Sequence, residues 1–507
     1  MNGDLDGLSD LPNEIITDIF LFCLPQGSFL HLDPRNAPIL LTHICSSWRT
    51  FVTHVPTLWK SIALSNIHKL GMGRPPFYDV NLEKRMLEQV ALWSANSHTQ
   101  QLAVSVDFRL ALIPDDNQRQ ARRNSIFCIE SPSFWDRVLR HAIVENAHRL
   151  RKLFLRLELT VLGSVIFDMT SESIPALETL HVVLSPPWGT PAGPASTRVT
   201  TFSKPPNLRR VVLALNSPLL EIDIPWAQLT HVALLQVQST SKIYSVLQQC
   251  PFLQALSIVI SDGKEPIHVT TPTIMAIHLK ELAIGIYSNK DVESFLVTIQ
   301  FPALNHLRLC RSQESGSLWS FDVGFKHFVN QLNLLHSLTL GYQNISSEAL
   351  LEVLCRTPLL VDLTVDSELV SYTSFLENLT YQPEAGDETL IPKLEYFNLY
   401  LEIDLEVDED GLNAGRNISF TNDAFLSMIV SRSPIAVQTH SEKASPACLK
   451  NVLLCVEHVE EGLQIVDLDG LSIQLRKLSA LGLDMDVNVQ VSDNKSSWLR
   501  EETPTWC

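Results

Sequence analysis

Residues able to carry chemistry are plentiful in this chain, but their spacing does not assemble a known reaction. Nine cysteines stand at 23, 45, 128, 250, 310, 355, 448, 455 and 507 without a Cys-x-x-Cys pair. That spacing fits neither a structural zinc site, a RING domain nor a disulfide framework, so they read mostly as reduced core thiols. The 16 histidines are spread mostly singly. There is no Gly-x-Ser-x-Gly elbow, no His-Glu-x-x-His pair and no Gly-rich loop followed by Lys-Ser/Thr. The acidic run Glu402, Asp404, Glu406, Asp408, Glu409, Asp410 ends at Gly411. It lacks the sixth-position Gly and twelfth-position Glu of a calcium loop, and reads as a solvated loop or, if functional, a seat for a basic segment. The expectation is a non-catalytic protein with no metal and no cofactor. A triad of Ser, His and acid assembled only in space would revive an enzyme reading.

Composition narrows the partners. The chain has 507 residues, is 45% hydrophobic and only 19% charged, which describes a folded, core-rich protein. Its 38 basic and 56 acidic residues give a net charge of -18, which repels phosphate backbones and anionic bilayers. Neither nucleic acid nor membrane is expected as a partner. The opening Met1-Asn2-Gly3-Asp4-Leu5-Asp6 has no basic or apolar stretch of a secretory signal, so a cytoplasmic or nuclear location is expected. The Asn-x-Ser/Thr triplets at Asn344, Asn378, Asn417 and Asn494 then carry no meaning.

What remains is docking, and the elements that would present it. Leu11-Pro12 predicts a helix start, because first-turn amides lack intrahelical partners and tolerate proline. Leu11, Ile15, Ile16, Ile19, Phe20 and Cys23 then recur with helical spacing and give one broad apolar face. Glu14 favours the positive end of the helix dipole. A second apolar run, Ile39-Leu40-Leu41 with Ile44-Cys45 and Trp48, follows a loop.

The ordered set Leu11-Pro12-Asn13-Glu14-Ile15-Ile16, Ile19-Phe20, Cys45-Ser46-Ser47-Trp48-Arg49 and Leu58-Trp59-Lys60-Ser61-Ile62 resembles an F-box of the fungal F-box-like type, here over residues 8–64. The resemblance implies a module that plugs a substrate receptor into a cullin-type ubiquitin ligase through the Skp adaptor. It implies adaptor contacts at Leu11, Pro12, Ile15, Ile16, Ile19, Leu41 and Cys45, and a module core of Trp48, Leu58 and Trp59. Residues 25–38 make the gap between the first two helices longer than the family usually has. The alternative is that residues 8–64 are simply the first helices of a larger core.

From Leu150 onward a short unit recurs: an aliphatic residue, two variable positions, an aliphatic or aromatic residue, one variable position, and another aliphatic residue. It begins at Leu150, Leu177, Leu208, Leu229, Leu253, Leu279, Leu304, Leu335, Leu360, Leu394, Leu449 and Leu478, at intervals of 21 to 34 residues with one gap of 55. The alternation predicts short strands, and the period predicts a stacked array. Proline stands two residues before the first Leu in six units, at Pro175, Pro206, Pro251, Pro302, Pro358 and Pro392. Proline ends a helix there, and segments such as 243–250, 292–299 and 349–355 read as those helices. This resembles a leucine-rich-repeat solenoid, with strands lining one face and helices the other. The asparagine such repeats usually carry after the third aliphatic position occurs in one unit, at Asn216. An irregular solenoid is therefore expected. Leucine-rich helical hairpins are the alternative, against which the β-branched residues Val211-Val212, Ile258-Val259-Ile260 and Thr364-Val365 argue.

The expected fold class is α/β: a small helical F-box (8–64), bridging helices and an N-terminal cap (65–146), an irregular leucine-rich-repeat solenoid (147–490) and a tail (491–507). In the bridge, Leu82, Met86, Leu87, Val90 and Trp93 mark a helix after the loop 71–76, Leu102, Val104 and Val106 a strand, and 134–144 a second helix. Candidate target contacts are Trp188, in the proline-rich insertion 186–194, and Arg308; Trp188 is either a partner anchor or buried by its own loop. Polar positions Glu178, Arg209, Gln254, Asn305, Arg308 and His336 are placed on the strand face by alternation. The functional expectation is a target-binding subunit joined to the Skp adaptor and through it to a cullin, with an interaction scaffold outside any ligase as the alternative.

Overall fold

In the computed structural model the recurring aliphatic pattern forms ladders of parallel strands. The structure describes residues 11–25, 27, 29–65, 80–107, 132–158, 166, 169–185, 197–215, 220–260, 274–286, 295–311, 323–341, 345–366, 372–382, 390–402, 420–433, 447–457, 468–480 and 486–492. The loop 71–76, Trp188 with its insertion, Asn216 and most of the acidic run lie outside them. Two compact units divide the chain, Met1–Leu229 and Thr230–Cys507. The division falls inside the repeat array, so the helical module, the bridge and the earliest repeats share one unit.

The first unit opens with α1 (Asn13–Phe22), α2 (Ile39–Ile44) and α3 (Ser46–Thr53), followed by a 3-10 turn, Pro56–Trp59. Pro12 is the residue before α1, and its carbonyl accepts from the Ile15 and Ile16 amides at 3.0 and 3.1 Å. Next come β1 (Ser61–Ser65), α4 (Val80–Asn96), β2 (Leu102–Asp107), α5 (Pro132–Leu139), β3 (Leu150–Glu158), β4 (Thr179–Ser185), β5 (Thr197–Val199), β6 (Arg210–Leu215) and β7 (Leu220–Ile222). Strands β1, β2, β3, β4 and β6 pair in that order, and β5 pairs with β7 separately. The sheet thus begins within the last residues of the expected docking module. Met86, Val90 and Trp93 of α4 are buried as their spacing predicts. Arg149 locks the end of α4 to the start of β3, with guanidinium bonds to Ser97 Oγ at 2.9 Å, Ser94 O at 3.0 Å and Asn146 Oδ1.

The second unit contains β8 (His231–Gln238), α6 (Thr240–Gln249), β9 (Ala255–Ile260), β10 (Ile274–Met275), β11 (Glu281–Ile286), β12 (Ile299–Gln300), β13 (His306–Arg311), α7 (Val323–Val329), β14 (Ser337–Gly341), α8 (Ser347–Cys355), β15 (Asp362–Asp366), α9 (Tyr372–Leu379), β16 (Tyr396–Glu402), α10 (Asn422–Ser431), β17 (Asn451–Glu457), α11 (Leu468–Ala480) and β18 (Asp486–Ser492). Strands β8, β9, β11, β13, β14, β15, β16, β17 and β18 form one sheet in that order, every neighbouring pair parallel, while β10 pairs with β12. Helical hairpins without strands are excluded. The last unit departs from expectation: Leu478 lies in α11, and the strand starts at Asp486. Val487 and Val489 there take the register of Val452 and Leu454.

The six prolines have a sharper role than helix termination. Each is the second residue of a four-residue turn closed by the amide of the repeat's first leucine, as in Cys250 to Leu253 (3.2 Å), Phe301 to Leu304 (3.2 Å) and Thr357 to Leu360 (3.1 Å). Proline presets φ at that position. Immediately after the leucine, one carbonyl takes two amides from the next repeat. Gln254 O accepts from Lys280 and Glu281, Lys280 O from Asn305 and His306, Asn305 O from His336 and Ser337, His336 O from Val361 and Asp362, and Val361 O from Glu395 and Tyr396. This backbone ladder stitches repeat to repeat without an asparagine.

At the end of α10, the fully buried Arg432 donates to carbonyls of the connection from α9 to β16, those of Leu379 (2.8 Å), Leu390 (2.7 Å) and Ile391 (3.1 Å). It holds Ile391 at φ 41°, a left-handed conformation that a β-branched residue rarely adopts.

Candidate functional site

α1 inverts the usual economy of a helix at the edge of a core. Only Phe20 is buried on it, against Trp48 at 4.8 Å and Phe51 at 5.7 Å between ring centroids. Leu11, Ile15 and Ile19, spaced four apart, are exposed in one row, and Phe22 is 90% exposed. Six of the 16 exposed large hydrophobic side chains among the described residues lie between Leu11 and Ile44. Pro12 is exposed and Ile16 half-buried. An exposed apolar row of this kind on a folded protein is a candidate binding face.

α2 corrects one expected contact. Leu41 is buried with Ile39 and Thr42 and cannot meet a partner; Leu40 and Ile44, four apart, are the exposed pair. Cys45 is half-buried at the start of α3, with Sγ 3.0 Å from Ser47 Oγ. The Ser47 hydroxyl and the first amides of α3 lower its pKa.

The rows beneath hold this face in shape. Leu58 and Trp59 are completely buried, and Trp48 is half-buried. Trp59 Nε1 donates to Val52 O at 2.9 Å, and its ring meets Trp93 of α4 edge-on at 4.9 Å. The expected module core is therefore shared with the bridging helix.

On the second unit's sheet, the face opposite the leucines presents His306, Ser337 and Asp362 side by side in register on β13, β14 and β15. Here a serine, a histidine and an acid adjoin, but the serine is in the middle. Ser337 Oγ donates to Asp362 Oδ2 at 3.1 Å, so its proton points at the carboxylate and not at an imidazole base. A serine nucleophile needs the opposite order. Burial raises the Asp362 pKa, offset by the Ser337 bond and by His306. Arg308 is half-buried on this face two positions before Cys310, whose thiol is pushed up by burial while Arg308 draws it down.

The remaining polar candidates sit differently from expectation. Glu178, Arg209, Gln254, Asn305 and His336 each precede their strand, at the edge where the carbonyl ladder runs, and are not on the strand face. Glu178 is also held by Arg151 at 2.8 Å. Among the described residues there is no cluster of three or more metal-ligating side chains, and no helix long and apolar enough to cross a membrane.

No family model matches the chain, and no curated protein matches it. Among solved structures, an internalin from Listeria monocytogenes is similar over 51% of this chain and 69% of that chain, at 17% sequence identity and a TM-score of 0.25. A likeness at that score carries no weight beside the chain's own geometry.

Proposed function

We propose that the chain is a non-catalytic substrate receptor of a cullin-based ubiquitin ligase, in which α1 and α2 bind a Skp adaptor and the parallel-sheet repeats bind a target protein. The row Leu11, Ile15, Ile19, with Phe22 beside it, carries the reading: it is apolar, exposed and anchored from behind by Phe20 alone. Leu11, Ile15 and Ile19 are 37%, 46% and 37% exposed, so covering what remains of each contributes on the order of 1 kcal/mol. The row alone does not offset the cost of association, and a seated partner must also cover Phe22, Leu40 and Ile44. Chemistry on the target would then come from other subunits, through proximity.

Co-expression with a Skp adaptor tests this directly. The wild-type chain is expected to co-purify, and Leu11→Ala with Ile15→Ser to weaken association at least tenfold with an unchanged circular dichroism spectrum. No association, or association that the double variant leaves intact, overturns the reading. Adaptor binding without recruitment of a cullin would make the chain an interaction scaffold.

A further inference from the structure

The long segment between α1 and α2 is packed against the sheet. Leu30 and Ala37 are buried, and the Ala63 amide of β1 donates to Leu30 O at 2.7 Å. His31 forms a parallel bridge with Ala63, so the segment extends the sheet beyond β1. Phe29 meets Phe154 of β3 edge-on at 4.6 Å, and Phe154 meets His181 of β4 at 4.9 Å. The segment is itself braced: Arg35 N–H donates to Asp33 Oδ1 at 2.9 Å, Asn36 N–H to Asp33 O at 3.0 Å, and Leu40 N–H to Asn36 O at 2.9 Å.

An edge strand with free amides is a template for unwanted pairing, and repeat arrays need a cap at each end. We propose that residues 29–38 are a strap: they cap the first edge of the sheet and clamp the helical module to β1 and, through Phe29, to Phe154 of β3. The docking face of α1 and α2 then moves as one body with the first repeats. A module joined only through Trp59 and β1 would have one attachment; the strap supplies a second, from the other side of α2. Phe29 also occupies the Phe154 position of the sheet face, so a target reaching that face meets the chain's own side chain first. The inference holds whether or not the partner of α1 is a Skp adaptor.

Hydrogen exchange on the full chain tests it from both sides. Phe29→Ala with Leu30→Ala is expected to speed exchange of the Ala63 amide at least tenfold, while α8 and α9 keep their protection. Phe154→Ala, which leaves the strap's sequence untouched, is expected to speed exchange at Asn36 and Leu40 by a similar factor. Leu11→Ala, on the docking face, should change neither. If the Phe29 variant loses protection throughout, the Phe154 variant decides. Unchanged exchange at Asn36 and Leu40 in Phe154→Ala, or at Ala63 in a folded Phe29 variant, overturns the strap.

Discussion

His181 allows a pH-dependent cost to be worked out from a single side chain. It is 7% exposed on β4, and both ring nitrogens are buried without a hydrogen-bond partner. Burial lowers its pKa from 6.5 to about 4, with Arg156 acting in the same direction and Asp107 against it. Above pH 6.5 the ring is neutral in both folded and unfolded chains, and its titration costs nothing. As the pH falls below 6.5 the unfolded chain takes up a proton that the folded chain refuses, so stability falls until the folded pKa is reached. Between pH 7.5 and 4.5 the loss is about 2–3 kcal/mol. His181→Phe keeps a ring against Phe154 and removes both orphaned nitrogens, each of which costs roughly 1–3 kcal/mol when buried unpaired. The variant should be more stable than wild type at pH 7.5 and further ahead at pH 4.5. Carboxylates titrate over the same range, so the informative quantity is the difference between variant and wild type. Exchange protection of β3 and β4 amides in urea measures it locally, which a chain of two units requires. An equal difference at the two pH values, or an imidazole titrating near its ordinary value by NMR, refutes the argument.

Three further outcomes follow from the packing. Arg432→Met should lower the melting temperature of the second unit, at a cost of about 3 kcal/mol, because it strands three carbonyls now bonded by one guanidinium; Arg432→Lys should fail to rescue it, since one ammonium lacks that planar reach. Trp59→Ala should cost roughly 3–5 kcal/mol and release exchange protection in α3, and Trp59→Phe should recover part of it while still losing the bond to Val52. Pro302→Ala should cost under about 1 kcal/mol in denaturant unfolding, since Leu279 and Leu335 close the same turn without proline.

The repeat strands from β4 to β16 in the main sheets were legible because each carries its own alternation and follows a leucine fixed by a turn, as at Leu177, Leu253, Leu304 and Leu394. The bridging helix was legible for the same reason, since Met86, Val90 and Trp93 define a face by themselves. On α2 the signal failed. Ile39-Leu40-Leu41 is continuously apolar, and a six-residue helix is too short for its period to say which side is buried, so only the resemblance points Leu41 outward, where Leu40 and Ile44 belong. Leu478 failed differently: it belongs to α11, where Leu471, Leu475 and Leu478 recur at helical spacing, and the other two leucines of its unit, Leu481 and Leu483, lie outside the described residues, whereas the strand alternates valines. The strap could not be read at all, because the partners of Phe29 lie on strands far along the chain. The Cys45 environment is also spatial, set by a helix start and by Ser47.

The carbonyl ladder explains why repeats of such unequal length can stack. An asparagine ladder fixes each loop by a side chain at a set distance from its strand, so insertions within the unit disturb it. Here the junction is a single backbone carbonyl placed directly after the leucine, and the two amides it accepts belong to the next strand's first residues. The intervening chain therefore does not enter the geometry of the joint. The longest interval shows this: Glu395 O accepts from Lys450 at 2.8 Å and Asn451 at 3.2 Å across the 55-residue gap, as neighbours closer in sequence do. Because the joint uses main chain, it constrains side-chain type weakly, which is why the repeats keep their leucines and little else. Insertions can then grow between strands without unthreading the sheet, and the side chains facing away from the leucines are left free to vary.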